Sequence, residues 1–252
     1  MTRPTRAAST RGLARLARAL GRLLGPRPVA HYDFAYLDQL PPDRLATEGG
    51  RALDDVDIVV LDTETTGLQP RSGDRVVSLA AVRVRHGAVC RDEVFDALVR
   101  PGRAIPASAT RIHGITDAMV AGAPGLDVVL PAFLAFAGRS VLAAHDAWFD
   151  LAFLEPDLDR LGLPSLAGSH PILDTRLLSA IADGSAQADL DALARRLGVT
   201  IHGRHSALGD ALGAAEVLAR LLPPLRGRGI STVGAALSAS RGLAGPGRPA
   251  RS

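Results

Sequence analysis

The 252-residue chain is 47% apolar, enough for one sizeable core of about 170–190 residues plus tails. Its single cysteine, Cys90, excludes a disulfide framework and a Cys-based zinc site. No apolar run reaches the ~18–20 residues of a membrane span, and the N-terminus lacks the apolar core of a secretory signal, so no stable membrane insertion and a cytoplasmic location are expected. All 29 basic residues are Arg, and 12 of them lie in acid-free ends, leaving 17 Arg against 26 acids between residues 29 and 225. The body is therefore acidic and its ends basic. Arg without Lys, beside many Ala, Gly and Pro, is the mark of a GC-rich coding bias, so the Arg count itself carries little functional weight.

In residues 1–28, Leu13, Leu16, Leu20, Leu23 and Leu24 repeat at helical spacing with Arg11, Arg15, Arg18 and Arg22 between them. That is a basic amphipathic helix ended by Gly25-Pro26. It reads as a contact for a membrane surface, a partner or nucleic acid, as a helix docked on its own domain, as a frayed tail, or as an organellar presequence. Residues 29–55 carry Tyr32, Phe34, Tyr36 and Leu37 and then Pro41-Pro42, a packing segment and linker. The domain proper is expected to span 56–225.

That domain begins with Val56 to Leu68, VDIVVLDTETTGL. The run Ile58–Leu61 is too short for a helix and mostly β-branched, which predicts a buried strand. Alternation then puts Asp62 and Glu64 on one face, about 7 Å apart along the chain. Arg75–His86 and Ala88–Val99, joined at Gly87, predict two more strands in an antiparallel meander. Ala107–Met119 reads as a helical turn, a break at Gly114 and another turn. Pro124–Ala137 has helical spacing, and Ser140–Ala144 is a short strand ending at His145. Asp146 or Asp150 opens a helix that Pro156 is expected to interrupt. Ile172-Leu173 is a brief strand, Asp174 caps a helix towards Ala182, and Leu190–Leu197 is a helix ended by Gly198. Ala207–Leu222 is the last strong helix, stopped by Pro223-Pro224. Beyond Arg226 a flexible basic tail is expected, with Ile230–Leu237 docking as at most one turn. Strands followed by alternating helices and strands make an α/β fold with a mixed sheet and helices on its faces.

Two carboxylates ending a buried strand can face water or share a cation. At an effective dielectric of about 20, two negative charges ~4 Å apart repel by roughly 4 kcal/mol, so a cluster of such acids calls for a divalent ion. D-x-E alone is weak evidence. Three further pieces decide: HDAWFD at 145–150, GRHSALGDAL at 203–212 and IHGIT at 112–116. Together with DTETTGL they resemble the proofreading-type 3′–5′ exonucleases, relatives of the epsilon subunit of bacterial DNA polymerase III, in the DEDD superfamily of ribonuclease H-like fold. The resemblance runs from about Val56 to Leu222.

It implies catalytic acids at Asp62 and Glu64, Asp150 and Asp210, holding two divalent cations, Mg²⁺ or Mn²⁺, with His205 as general base. The tyrosine subtype would need Tyr where this chain has Ser206; His205, five before Asp210, fits the histidine subtype. Oxygen donors without cysteine suit hard ions. In a two-metal site one ion activates the attacking water and the other stabilises the leaving 3′ oxygen. Asp62 would bridge them, Glu64 and Asp210 would complete the nucleophile-side ion, and Asp150 would support the second. A histidine titrating near pH 6.5 can take the water's proton. Taken alone, Asp150 also reads as a helix N-cap, His205 as a surface loop residue, and Asp210 as an acid on a helix facing water.

The same resemblance implies a nucleotide pocket of Thr65, Thr66, Gly67 and Leu68 opposite Ile112 and His113. Gly67 would let the backbone approach closely, and His113 would touch substrate or hold its loop. Phe149 would stack on a base or join the core, and Asp174 with Thr175 would sit near the site or cap a helix. One departure stands out: Asp146 replaces the family's usual Asn. The expected substrate is a nucleic acid 3′ end, DNA ahead of RNA, with release of nucleoside 5′-monophosphates, in proofreading or repair. A DNA polymerase subunit is an expected partner. The alternatives are an RNA or short-oligonucleotide exonuclease and, in another class, a polymerase-associated binding module.

Overall fold

Why Asp62 and Glu64 end up at an open edge follows from unequal strand lengths. In a computed structural model describing residues 34–184 and 189–244, β1 (Ile58–Thr65) is the centre of a five-stranded sheet ordered β3-β2-β1-β4-β5. The basic helix expected over residues 1–28 lies outside the described residues. β2 (Val76–Arg85) and β3 (Ala88–Leu98) form the expected antiparallel meander, with Asp62 opposite Ala80 and Glu64 opposite Ser78. On its other side β1 pairs in parallel with β4 (Val141–Ala144), but only from Ile58 to Val60. β5 (Ile172–Asp174) pairs in parallel with β4. The second half of β1 therefore overhangs β4, and its side chains meet helices instead of a strand. This mixed sheet flanked by helices is the ribonuclease H-like α/β fold expected from the sequence.

The helices follow in chain order. α1 is Pro42–Glu48, α2 Ala107–His113, α3 Asp117–Val120, α4 Leu126–Ala137, α5 Ala147–Arg160, α6 Leu166–Ser169, α7 Thr175–Asp183, α8 Leu190–Leu197, α9 Ala207–Gly227 and α10 Val233–Ala244. α9 crosses β1, β2 and β3. Its buried face is built from Ala207, Ala211, Ala214, Ala215 and Leu218, small residues at helical spacing that let the helix lie close on the sheet. A second, smaller core of Val77, Ile105, Ala109, Ile115 and Val120 supports α2 and α3.

Three expectations fail, each because packing overrides a local signal. Pro156 does not interrupt its helix: α5 runs through it, and Phe153, Leu154 and Leu158 stay buried around it, offsetting the bond lost by the Ala152 carbonyl. Pro223-Pro224 likewise fails to stop α9, which continues to Gly227 with Leu222 and Leu225 buried. The segment after Arg226 is not a flexible tail as far as Ala244. It forms α10, burying Val233, Ala236 and Leu237. Within residues 29–55, expected as a packing segment and linker, Tyr36, Leu37, Leu40 and Leu53 belong to the main core. The two segments hold each other: the amides of Leu53, Val233 and Gly234 donate to the carbonyls of Ser231, Arg51 and Gly49 at 2.8–3.0 Å. Arg241 Nε completes the contact at 2.9 Å from the Leu37 carbonyl and 3.0 Å from Asp38 Oδ1.

Candidate active site

Three carboxylates converge where β1 overhangs β4. Asp62 and Glu64 come from one face of β1, and Asp210 from the first turn of α9; each offers an oxygen within 4.8 Å of the others. Asp150 enters from α5, which starts just beyond the end of β4. The Thr63 hydroxyl donates to Asp150 Oδ1 at 2.7 Å and holds this fourth carboxylate beside the strand. Asp150 lies outside the group of three, yet its charge is the neighbour that acts most strongly on Asp62.

The electrostatics of the group are those of acids short of cations. Burial, then the charges of Asp150, Asp210 and Glu64, push Asp62 well above the usual carboxylate range. Burial and Asp210 raise Glu64 to about 7, with Arg204 acting in the opposite direction. Burial raises Asp150 to about 7 against the bond from Thr63, and raises Asp210 against the charge of Arg204. A set of crowded oxygen donors that must otherwise hold protons fits a hard divalent cation.

These shifts carry a stability prediction. A carboxylate whose folded pKa lies above its unfolded value takes up protons on folding, so its contribution is fullest below about pH 4 and declines as pH rises through its folded value. For Glu64 alone, a rise from 4.5 to about 7 corresponds to roughly 3 kcal/mol. The melting temperature in EDTA should therefore fall by several degrees between about pH 5 and pH 8, and saturating Mn²⁺ should flatten that fall. Differential scanning fluorimetry measures both, and a metal-free melting temperature insensitive to pH over that window would contradict the prediction.

His205 sits in the loop entering α9 with φ 64°, a left-handed backbone uncommon outside Gly. Its amide donates to both Asp210 oxygens at 3.3 Å, tying the expected base to the last acid through the main chain. Ser206 caps α9, its hydroxyl accepting from the Gly209 amide at 3.2 Å. Gly209 is what lets this loop lie down: a Cβ there would meet the Gly203 carbonyl oxygen at 2.1 Å. Arg204, adjacent to His205, donates from Nε to Asp191 Oδ1 at 2.8 Å and from Nη1 to Asp210 Oδ2.

The expected nucleotide pocket resolves into parts with different roles. The Thr65 and Thr66 side chains are buried, and their hydroxyls serve the loop, on the Gly67 carbonyl and on Asp74 Oδ1 at 3.1 Å. Asp74 also accepts from the Gln69 amide at 3.0 Å, and a Cβ on Gly67 would meet Asp74 Oδ2 at 2.2 Å. Leu68 and Ile112 are 60% and 55% exposed, apolar surface left over by the fold. His113 Nδ1 accepts from the Ile115 amide at 3.0 Å; burial lowers its pKa, against a hydrogen bond with the Thr65 backbone. Phe149 is half-buried and packs between Trp148 and Phe153, with ring centroids at 5.8 and 5.0 Å.

Asp146 still acts on the acids, its charge adding to the rise of Asp150, but it is paired. Arg176 Nη1 donates to both its carboxylate oxygens, at 2.8 and 3.0 Å, so the extra charge has its own cation. Its backbone is left-handed, φ 66° and ψ 48°. Asn and Asp both tolerate that conformation, which gives the substitution a physical basis. Asp174 does more than cap α7. Buried, it accepts from the amides of Ala147 at 3.0 Å, Asp146 at 3.3 Å and Arg176 at 2.9 Å, and from the Tyr36 hydroxyl at 3.3 Å. It thereby ties the end of β5 to the start of the helix carrying Asp150, and burial with Asp146 raises its pKa to about 6. His145 Nδ1 lies 2.9 Å from the Thr175 hydroxyl, and burial lowers this histidine to about 4, keeping it neutral.

Thr63, Asp74, Arg204 and Gly209 carry roles that motif reading does not assign. The first, third and fourth stand inside the quoted motifs, where only the fold shows what each touches. Asp74 has no signal in the sequence.

Comparison with known proteins gives a family and a fold. The exonuclease family model matches residues 59–218. A DNA polymerase III subunit epsilon-like protein of Rhodobacter capsulatus is 48% identical over 213 residues, 83% of this chain and 29% of the relative. The chain thus spans less than a third of that relative's length. Among solved structures, exonuclease X in complex with 5′-overhanging duplex DNA matches with TM-score 0.56 and 27% identity, over 73% of this chain and 99% of that one. The nuclease domain of 3′hExo, a DEDDh family member bound to rAMP, shares the fold with TM-score 0.62 at 17% identity, over 72% of this chain and 97% of that one. No helix among the described residues is long and apolar enough to cross a membrane.

Proposed function

This chain belongs to the exonuclease family, and from that premise we propose that it hydrolyses the last phosphodiester at a nucleic acid 3′ end. Single-stranded DNA is the foremost substrate, and nucleoside 5′-monophosphates are the product. The observation that carries this reading is the meeting of Asp62, Glu64 and Asp210 within 4.8 Å. Divalent metal ions are implied by the family and fit this donor set; Mg²⁺ or Mn²⁺ is the proposed identity. Asp62, Glu64, Asp210 and Asp150 would hold them. Bound there, the ions supply a reactive water and neutralise charge on the departing 3′ oxygen.

The chain's own residues account for the rest. His205, fixed to Asp210 through its amide, accepts the water's proton from a loop at the edge of the site. Leu68 and Ile112, exposed on their two supporting segments, offer apolar surface to the terminal base. Such contacts read no base edge, so little sequence preference is expected. Thr63 keeps Asp150 in place. An association with a DNA polymerase subunit is proposed from the name of the Rhodobacter capsulatus relative.

The test uses 5′-labelled single-stranded DNA and RNA of one sequence with Mg²⁺, Mn²⁺ or EDTA. The expected result is a ladder shortening from the 3′ end, faster on DNA, with nucleoside 5′-monophosphate product and no reaction in EDTA. Internal cleavage, or degradation that survives EDTA, would overturn the reading.

A further inference from the structure

We propose that Arg204 is the resting counter-ion of the carboxylate cluster, a positioning residue that leaves Asp210 when a divalent cation enters and so sets how tightly the cation is held. The inference rests on the metal-dependent reading above and deepens it.

Arg204 is planted where a cation is wanted. Its Nη1 donates to Asp210 Oδ2, an oxygen of the group of three whose donors lie within 4.8 Å of one another. Its charge opposes the raised proton affinity of Asp62, Glu64 and Asp210 alike. A metal drawn to the same oxygens must therefore compete with a guanidinium already there. The side chain has somewhere to go. Nε is held by Asp191 Oδ1 at 2.8 Å, on the neighbouring helix α8, and that anchor lies on the solvent side, with the Asp191 side chain 45% exposed. Letting go of Asp210 leaves Arg204 tethered by its other limb. Its segment also lies between two left-handed residues, Gly203 at φ 72° and His205 at φ 64°, outside the regular hydrogen bonding of α9.

The same nitrogen lies 3.3 Å from His205 Nδ1. A shift of the Arg204 side chain away from Asp210 would therefore be felt at the His205 ring as well.

The experiment measures Mn²⁺ binding to the full chain by calorimetry, for the natural sequence, Arg204→Gln and Arg204→Lys. Arg204→Gln should bind Mn²⁺ about tenfold more tightly, the scale of one lost charge-assisted hydrogen bond with a competitor. Arg204→Lys, which keeps the charge, should stay within about twofold of the natural protein. In EDTA near pH 8, Arg204→Gln should melt lower than the natural protein, and saturating Mn²⁺ should close the gap. Unchanged or weaker Mn²⁺ binding by Arg204→Gln would overturn the proposal. So would its failure to fold even in saturating Mn²⁺, which would make Arg204 a structural residue. Failure of the natural protein to bind Mn²⁺ at all would instead strike the metal reading on which both rest.

Discussion

Asp62→Asn is expected to lower turnover by about 10⁴-fold and, in the same molecule, to raise the melting temperature of the metal-free protein. The loss follows from removing the acid at the centre of the cluster. Metal charge stabilisation is worth several kcal/mol of barrier, and each 1.4 kcal/mol is a factor of ten. The gain follows from what Asp62 costs without metal. It is pushed well above the usual range by burial and by three neighbouring carboxylates, and a neutral amide of the same shape relieves that repulsion. A variant that merely misfolded would lose both quantities. Single-turnover kinetics and scanning fluorimetry in EDTA read them separately. A turnover loss under tenfold would remove Asp62 from the chemistry. This opposition, less activity with more stability, is what a site holding unfavourable charge for a bound ion should show.

His205→Asn should lower turnover by about 10³-fold, in the range of a lost general base, while leaving Mn²⁺ affinity within about twofold. Asn is the informative replacement because it tolerates the left-handed backbone at φ 64°, and its amide can keep the two bonds to Asp210. What it removes is a group able to take a proton from water. Calorimetry with Mn²⁺ and single-turnover rates on labelled DNA separate the two. A drop in Mn²⁺ affinity matching the drop in rate would show that His205 shapes the ligand set and is not the base.

Much of this site is legible in the sequence, and the reason is local. Asp62 and Glu64 are two residues apart on a strand, so alternation alone gives them one face; Asp210 and His205 are joined by the first turn of α9. What sequence reading could not supply is everything set by distant contacts. Asp174 reads as a cap, because its bonds to Ala147 and Tyr36 reach 27 and 138 residues away along the chain. Asp146 reads only as a departure from the usual Asn, because its partner Arg176 lies 30 residues on and is brought to it by the fold. Pro156 and Pro223-Pro224 read as stops because the lost bond is local and visible, whereas the burial that offsets it belongs to the tertiary fold. α10 is obscured for a related reason: its Ala, Gly and Ser residues blur the apolar periodicity that Val233, Ala236 and Leu237 carry.

The interlocking of the segments before β1 and after α9 bears on where this domain can be cut. The region recognisable by motif ends at both sides inside a continuous hydrophobic interior, since Leu37 and Leu53 share it with Val233 and Leu237. A fragment trimmed to the motifs would expose that interior and also lose the phenol that reaches Asp174 from Tyr36. Expression boundaries drawn near Phe34 and Ala244 keep the buttress of the Asp150 helix intact; boundaries drawn at the first and last catalytic strand or helix do not.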